Sequence, residues 1–124
     1  STTVLFNNLE DDTHNAYNTS TGVYTVPVSG WYTISSRLCM TGRATNTGRV
    51  FTQALFTGTY NTGVAFDVEE GDSVGYDLWA CNGTITRKLN AGDTFQIQIN
   101  QDTGSNRTLL SSADNNYLQI IRHK

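Results

Sequence analysis

Apolar and polar residues alternate with period two in one short segment after another, and each segment ends at a cluster of Gly, Asn or Asp. Tyr32, Ile34 and Leu38 alternate with Thr33, Ser35 and Arg37; Val74, Tyr76 and Leu78 with Gly75, Asp77 and Trp79; Phe95, Ile97 and Ile99 with Gln96, Gln98 and Asn100. In a strand successive side chains point to opposite faces, so each segment reads as a strand with one buried side. Weaker strands are expected at Val4–Phe6, Gly22–Val26, Arg49–Phe56, Val64–Phe66 and Thr84–Leu89, with a last one at Tyr117–Arg122. No stretch carries a helical period. Strands at regular spacing, separated by Asn61-Thr62-Gly63, Asn82-Gly83, Ala91-Gly92-Asp93 and similar turns, indicate an all-β sandwich or barrel.

Length and composition agree with that class. The 124 residues form one domain, 1–124, large enough for a modest core. Charged residues make up only 15% and Pro occurs once; Thr, Asn, Ser and Gly fill their place, and these favour strands and turns over helices. A net charge of −3, with cations scattered from Arg37 to Lys124, speaks against nucleic-acid binding, which draws its affinity from phosphate neutralisation. No apolar run is long enough for membrane insertion by a helix, and Ser1-Thr2-Thr3 has neither an initiator Met nor a signal-peptide core, so the chain reads as a mature or excised domain. Cys39 and Cys81 are too few for a disulfide framework. Free thiols are expected, with a single bridge as the alternative.

The last segment departs from the alternation. In Tyr117-Leu118-Gln119-Ile120-Ile121, large apolar residues point both ways. If Leu118 and Ile120 enter the core, Tyr117 and Ile121 need another cover, and a subunit interface supplies one.

Residues 18–34, Asn-Thr-Ser-Thr-Gly-Val-Tyr-Thr-Val-Pro-Val-Ser-Gly-Trp-Tyr-Thr-Ile, resemble the early signature of the complement C-one-q globular-head family, a branch of the tumour-necrosis-factor-like jelly rolls. Leu89-Asn90-Ala91-Gly92-Asp93-Thr94-Phe95 is similar to the family's Leu-x-x-Gly-Asp-x-apolar entry to a late strand. Gln119 departs from the family, standing where animal members often carry a small Gly. The resemblance implies a two-sheet antiparallel jelly roll of roughly ten strands. It also implies a compact homotrimer, with the sheet that carries both chain ends lining the three-fold axis. Outward residues of the first, late and final strands, namely Gln98, Tyr117, Gln119 and Ile121, would then form the trimer interface. The Thr- and Asn-rich, lysine-poor style is closer to members in phage and other viral appendages than to secreted animal ones. That points to a virion surface or an extracellular location.

Candidate chemistry is sparse. Gly71-Asp72-Ser73-Val74-Gly75 fits the G-x-S-x-G pattern of hydrolases, but a nucleophile elbow needs a helix after the Ser and a strand follows here, so no enzyme is expected. Asp11, Asp12 and His14, or Glu69, Glu70 and Asp72, offer oxygen ligands that calcium uses; neither set has the spacing of a recognised calcium loop, so no cofactor is assigned. Sequons at Asn18, Asn82 and Asn106 are no more than this composition yields by chance. Trp79 and Trp31 share the parity of polar strand neighbours and Tyr60 lies in a loop, so these three are the candidate contacts to a host surface glycan or protein.

Overall fold

The computed structural model describes residues 2–41, 49–70, 78–101 and 116–124. They form nine strands and no helix: β1 (Thr2–Thr3), β2 (Tyr17–Asn18), β3 (Val23–Thr25), β4 (Gly30–Thr41), β5 (Arg49–Thr57), β6 (Thr62–Glu70), β7 (Leu78–Leu89), β8 (Thr94–Gln101) and β9 (Tyr117–His123). The all-β, two-sheet antiparallel jelly roll expected from the alternation is the observed architecture.

One sheet runs β2-β3-β8-β5-β6, with β1 also on β8; the other runs β7-β4-β9. β1 and β3 divide one edge of β8 between them, Thr3 lying opposite Gln98 and Val23 opposite Gln96. The first strand expected at Val4–Phe6 is therefore shifted, because only Thr2 and Thr3 pair as a strand while Val4 N donates to Ile97 O at 2.9 Å. The expectation that one sheet carries both chain ends is also corrected. β1 belongs to the six-stranded sheet and β9 to the three-stranded one.

Between the sheets lies a core of Val4, Val26, Tyr32, Ile34, Leu38, Ala54, Phe56, Leu89, Phe95 and Ile97. A smaller cluster of Met40, Val50 and Cys81 continues it at one end. Fully burying side chains such as Phe56, Phe95 or Ile34 contributes about 1.5–3 kcal/mol each, which makes the period-two pattern the main determinant of register. Leu118 and Ile120 of β9 pack on this core as the sequence indicated. β6 and β7 close one side of the sandwich, where Gly83 lets Phe66 approach so nearly that a Cβ there would meet its side chain at 2.1 Å.

The two family-like motifs have local physical reasons. Gly22 adopts φ +74°, and a Cβ on it would lie 2.8 Å from the Val4 carbonyl, so the Thr-Gly pair lets the N-terminal segment cross β3 closely. In the second motif Asp93 accepts from Asn90 N and from Thr59 N, each at 2.9 Å, which ties the turn before β8 to the loop after β5.

Candidate functional site

The three-stranded sheet presents an ordered outer face. Direct register sets His123 and Lys88 on either side of Trp31, Ile121 and Thr86 on either side of Thr33, Gln119 and Thr84 on either side of Ser35, and Tyr117 and Asn82 on either side of Arg37. Directly opposed residues share a face, so these four rows form one surface. Trp31 is 53% exposed, Ile121 46% and Tyr117 42%. The two central rows hold no charge, and their hydroxyls are engaged with one another. Thr33 Oγ1 lies 2.8 Å from Thr86 Oγ1 and 2.6 Å from His123 Nε2, and Ser35 Oγ lies 3.1 Å from Thr84 Oγ1. Arg37 closes the last row, donating to Asn82 Oδ1 at 3.2 Å. An uncharged centre with apolar side chains and cations at its ends has the layout of a protein interface, where charge is depleted at the core and retained at the rim.

Of the interface residues expected from the sequence, Tyr117, Gln119 and Ile121 stand together on this face. Gln98 does not join them. It lies on the outer side of the other sheet, half-buried, accepting from Gln53 Nε2 at 2.8 Å. Trp31 is outward and exposed as the parity indicated, whereas Tyr60 is half-buried, edge-on to Phe56 with ring centroids 6.4 Å apart. The two rings do not make one platform. Trp79 sits opposite Met40 in register, with its side chain outside the described residues, and Ser73 lies outside them altogether.

Sequence reasoning missed Arg87. Its guanidinium carbon lies 4.2 Å from the centroid of Tyr60 and 4.8 Å from that of Phe56, a cation–π stack that fastens the loop after β5 to β7. The signal was available, since Ile85, Arg87 and Leu89 share one parity and the two apolar members face the core. Register also settles the cysteines, which are free. Leu38 lies opposite Cys81, so Cys81 faces the core while Cys39, one residue on, points to the other side of the sheet.

The N-terminal acidic cluster is structural in part. Asp12 Oδ1 accepts from Ala16 N at 3.0 Å and Oδ2 from Tyr17 N at 2.9 Å. Partial burial would raise this carboxyl, but those amides hold it below the ordinary carboxylate value. Asp93 behaves alike: desolvation opposes its ionisation, and the hydrogen bonds from Asn90 and Thr59 outweigh it. Among the described residues no group of three His, Cys, Asp or Glu is gathered as a metal site.

With the architecture in hand, solved structures give it a class. The chain is similar to the globular domain of zebrafish complement 1qA protein, with a TM-score of 0.64 at 17% identity over 95% of this chain and 78% of that one. It is also similar to the Eiger TNF of S. frugiperda, with a TM-score of 0.62 at 14% identity over 87% and 68%. The fold is therefore the jelly roll shared by complement globular heads and tumour-necrosis-factor proteins. No family model matches the sequence. No curated protein matches it either.

Proposed function

We propose that this domain is the homotrimeric head of a phage tail fibre or similar virion spike, recognising a host surface glycan or protein without catalysing a reaction. The observation that carries the reading is the doubly apolar β9. Its inner residues, Leu118 and Ile120, pack on the core, while Tyr117 and Ile121 stand exposed on the outer face, whose two central rows hold no charge. A second copy covering that face would bury those side chains and set three equivalent loops side by side, so that a weak single site gains avidity. Trp31 is the candidate ligand contact; Trp79, which the sequence parity set outward, pairs with Met40 of the core cluster and so takes a core-side register position. Calcium is left as an accessory that loops can accept.

Light scattering at micromolar concentration tests the assembly: a trimer is expected, and a stable monomer overturns the reading. A glycan-array screen with the Trp31→Ala variant tests recognition, a hit that the change abolishes being the expected result.

The names of both structural neighbours, a complement and a TNF protein, favour a second reading as a secreted recognition or signalling module. Neighbouring genes separate the two: tail genes support the first reading, and an upstream collagen repeat with a signal peptide supports the second.

A further inference from the structure

Half of the chain's eight Lys and Arg side chains, namely Arg87, Lys88, Arg122 and Lys124, gather at one end of the three-stranded sheet. Register places them: Lys88 and His123 flank Trp31, Arg87 and Arg122 flank Tyr32, and Lys124 follows β9. The first of these rows belongs to the outer face and the second to the core side. Arg122 nevertheless leaves the core at the end of the sheet, where it is exposed and its Nη2 donates to Ser29 O at 3.1 Å. Arg87 stays half-buried on Tyr60 and adds field rather than contact. β4, β7 and β9 contain no Asp or Glu. Asp93, in the loop that leaves β7, has Oδ1 taken by Thr59 N and Oδ2 by Asn90 N. None of the four cations is in an ion pair among the described residues, in a chain whose net charge is −3.

We infer that this end of the domain binds a saccharide carrying carboxylate or sulfate groups, Trp31 stacking on a sugar ring while Lys88, Arg122 and Lys124 meet the charged groups. The inference rests on the recognition role proposed above and names the chemical class of the ligand and the end of the domain that takes it. Trp31 is 53% exposed between Lys88 and His123, with the Thr33 and Thr86 hydroxyls, 2.8 Å apart, in the next row. A flat apolar surface bordered by hydrogen-bonding groups suits a sugar ring, which is apolar on its face and polar at its rim. Charge complementarity selects an acidic sugar. The cations at this end have no carboxylate partner to give up, so a ligand anion gains their attraction without breaking an ion pair, and the exposed Arg122 guanidinium can take an oxyanion by charge-assisted hydrogen bonds. A neutral sugar would leave the cations unused, and an anion without a ring would leave Trp31 unused.

Titration calorimetry of the whole chain with dextran sulfate, polygalacturonate and neutral dextran tests this. At least one of the two acidic polysaccharides is expected to bind about tenfold or more tightly than neutral dextran, and to bind more weakly as salt rises. Lys88→Glu is expected to weaken that binding by about tenfold, and Trp31→Ala by a similar factor. Arg37→Glu makes the same change of charge on the same face at the opposite end of β4, and should leave the affinity within about twofold because salt screens that distance. Lys88 and Trp31 are exposed, and a retained urea midpoint separates lost binding from lost folding. Equal losses from Lys88→Glu and Arg37→Glu would mean that net charge rather than this end of the domain attracts the ligand, and would overturn the inference. Binding indifferent to Trp31→Ala would overturn the saccharide class and leave bare anion binding. Acidic polysaccharides bound no better than dextran overturn the inference while recognition of a neutral glycan or a protein stands. A chain that binds none of the three and scores no glycan on the array overturns glycan recognition itself.

Discussion

The outer faces of the two sheets are built from similar residues and finished differently. On the six-stranded sheet, Phe51, Gln53, Leu55, Gln96 and Gln98 are all half-buried, and Gln53 lies across Gly63 to reach Gln98. Long amide side chains cover their apolar neighbours and satisfy each other there. On the three-stranded sheet the centre is Thr and Ser, whose short hydroxyls bond sideways and cover nothing, so Trp31, Ile121 and Tyr117 project. The first face is sealed by its own side chains. The second leaves its apolar side chains open to solvent, and the self-association proposed above would cover them.

The same substitution on both faces should give opposite results. Ile121→Asp is expected to weaken self-association by about a hundredfold or more, because an unpaired carboxylate would be buried at the contact. Its monomer should remain folded. Gln98→Asp is expected to leave the assembly intact and to lower unfolding stability by about 1 kcal/mol through the lost hydrogen bond to Gln53. Light scattering reads the first effect and urea unfolding the second; a Gln98→Asp chain that falls apart into monomers would reverse the assignment of the two faces.

How much of this was legible in the sequence follows from the range over which each signal acts. The strands β4, β5, β8 and β9, and the split of β9 into core-facing Leu118 and Ile120 and outward Tyr117 and Ile121, are local periodicities and were readable. Asn82-Gly83, expected as a turn, instead lies inside β7, opposite Arg37 and Ser36, and most of the strand expected at Val74–Trp79 lies outside the described residues. The Gly-Asp turn before β8 was readable as a motif, though not its reason, since Asp93 bonds to Thr59 across a separation of 34 residues. Strand order is a non-local property. Periodicity says that Gln98 points outward and cannot say from which sheet, and the resemblance grouped it with Tyr117 and Ile121, which belong to the opposite one. The first strand was misplaced for a related reason: a two-residue pairing has no period to detect.

Folding stability, by the same contrast, should reside away from the proposed docking face. Gly58 adopts φ +126°, and a Cβ on it would lie 2.3 Å from Asp93 Oδ1. Gly58→Ala is therefore expected to cost about 2 kcal/mol or more, through backbone strain and displacement of that carboxylate. Asp93→Ala, which strands the amides of Asn90 and Thr59, should cost a comparable amount, about 2 kcal/mol. Neither change should alter association in the concentration range where the chain remains folded. A urea midpoint unmoved by both would mean that the turn before β8 does not hold the sandwich together.

The smallest effect is a pH dependence. Asp12 and Asp93 have carboxyls held below the ordinary value of 3.8 in the folded chain. The unfolded chain therefore binds their protons first as pH falls, and the unfolded state gains relative to the folded one. Their contribution is complete above the unfolded value and is lost as pH falls through the lower folded values. Stability should accordingly be flat in pH from neutral down to about 4 and decline below it as far as these two groups decide it. Asp93→Asn removes one titrating group, so its urea midpoint, lower at neutral pH, should approach that of the unaltered chain below pH 4. An unchanged gap between the two chains at acid pH would mean that Asp93 acts through shape and not through its charge. Since neither carboxylate belongs to the outer face of the three-stranded sheet, the acid-induced loss should appear equally in the Ile121→Asp monomer.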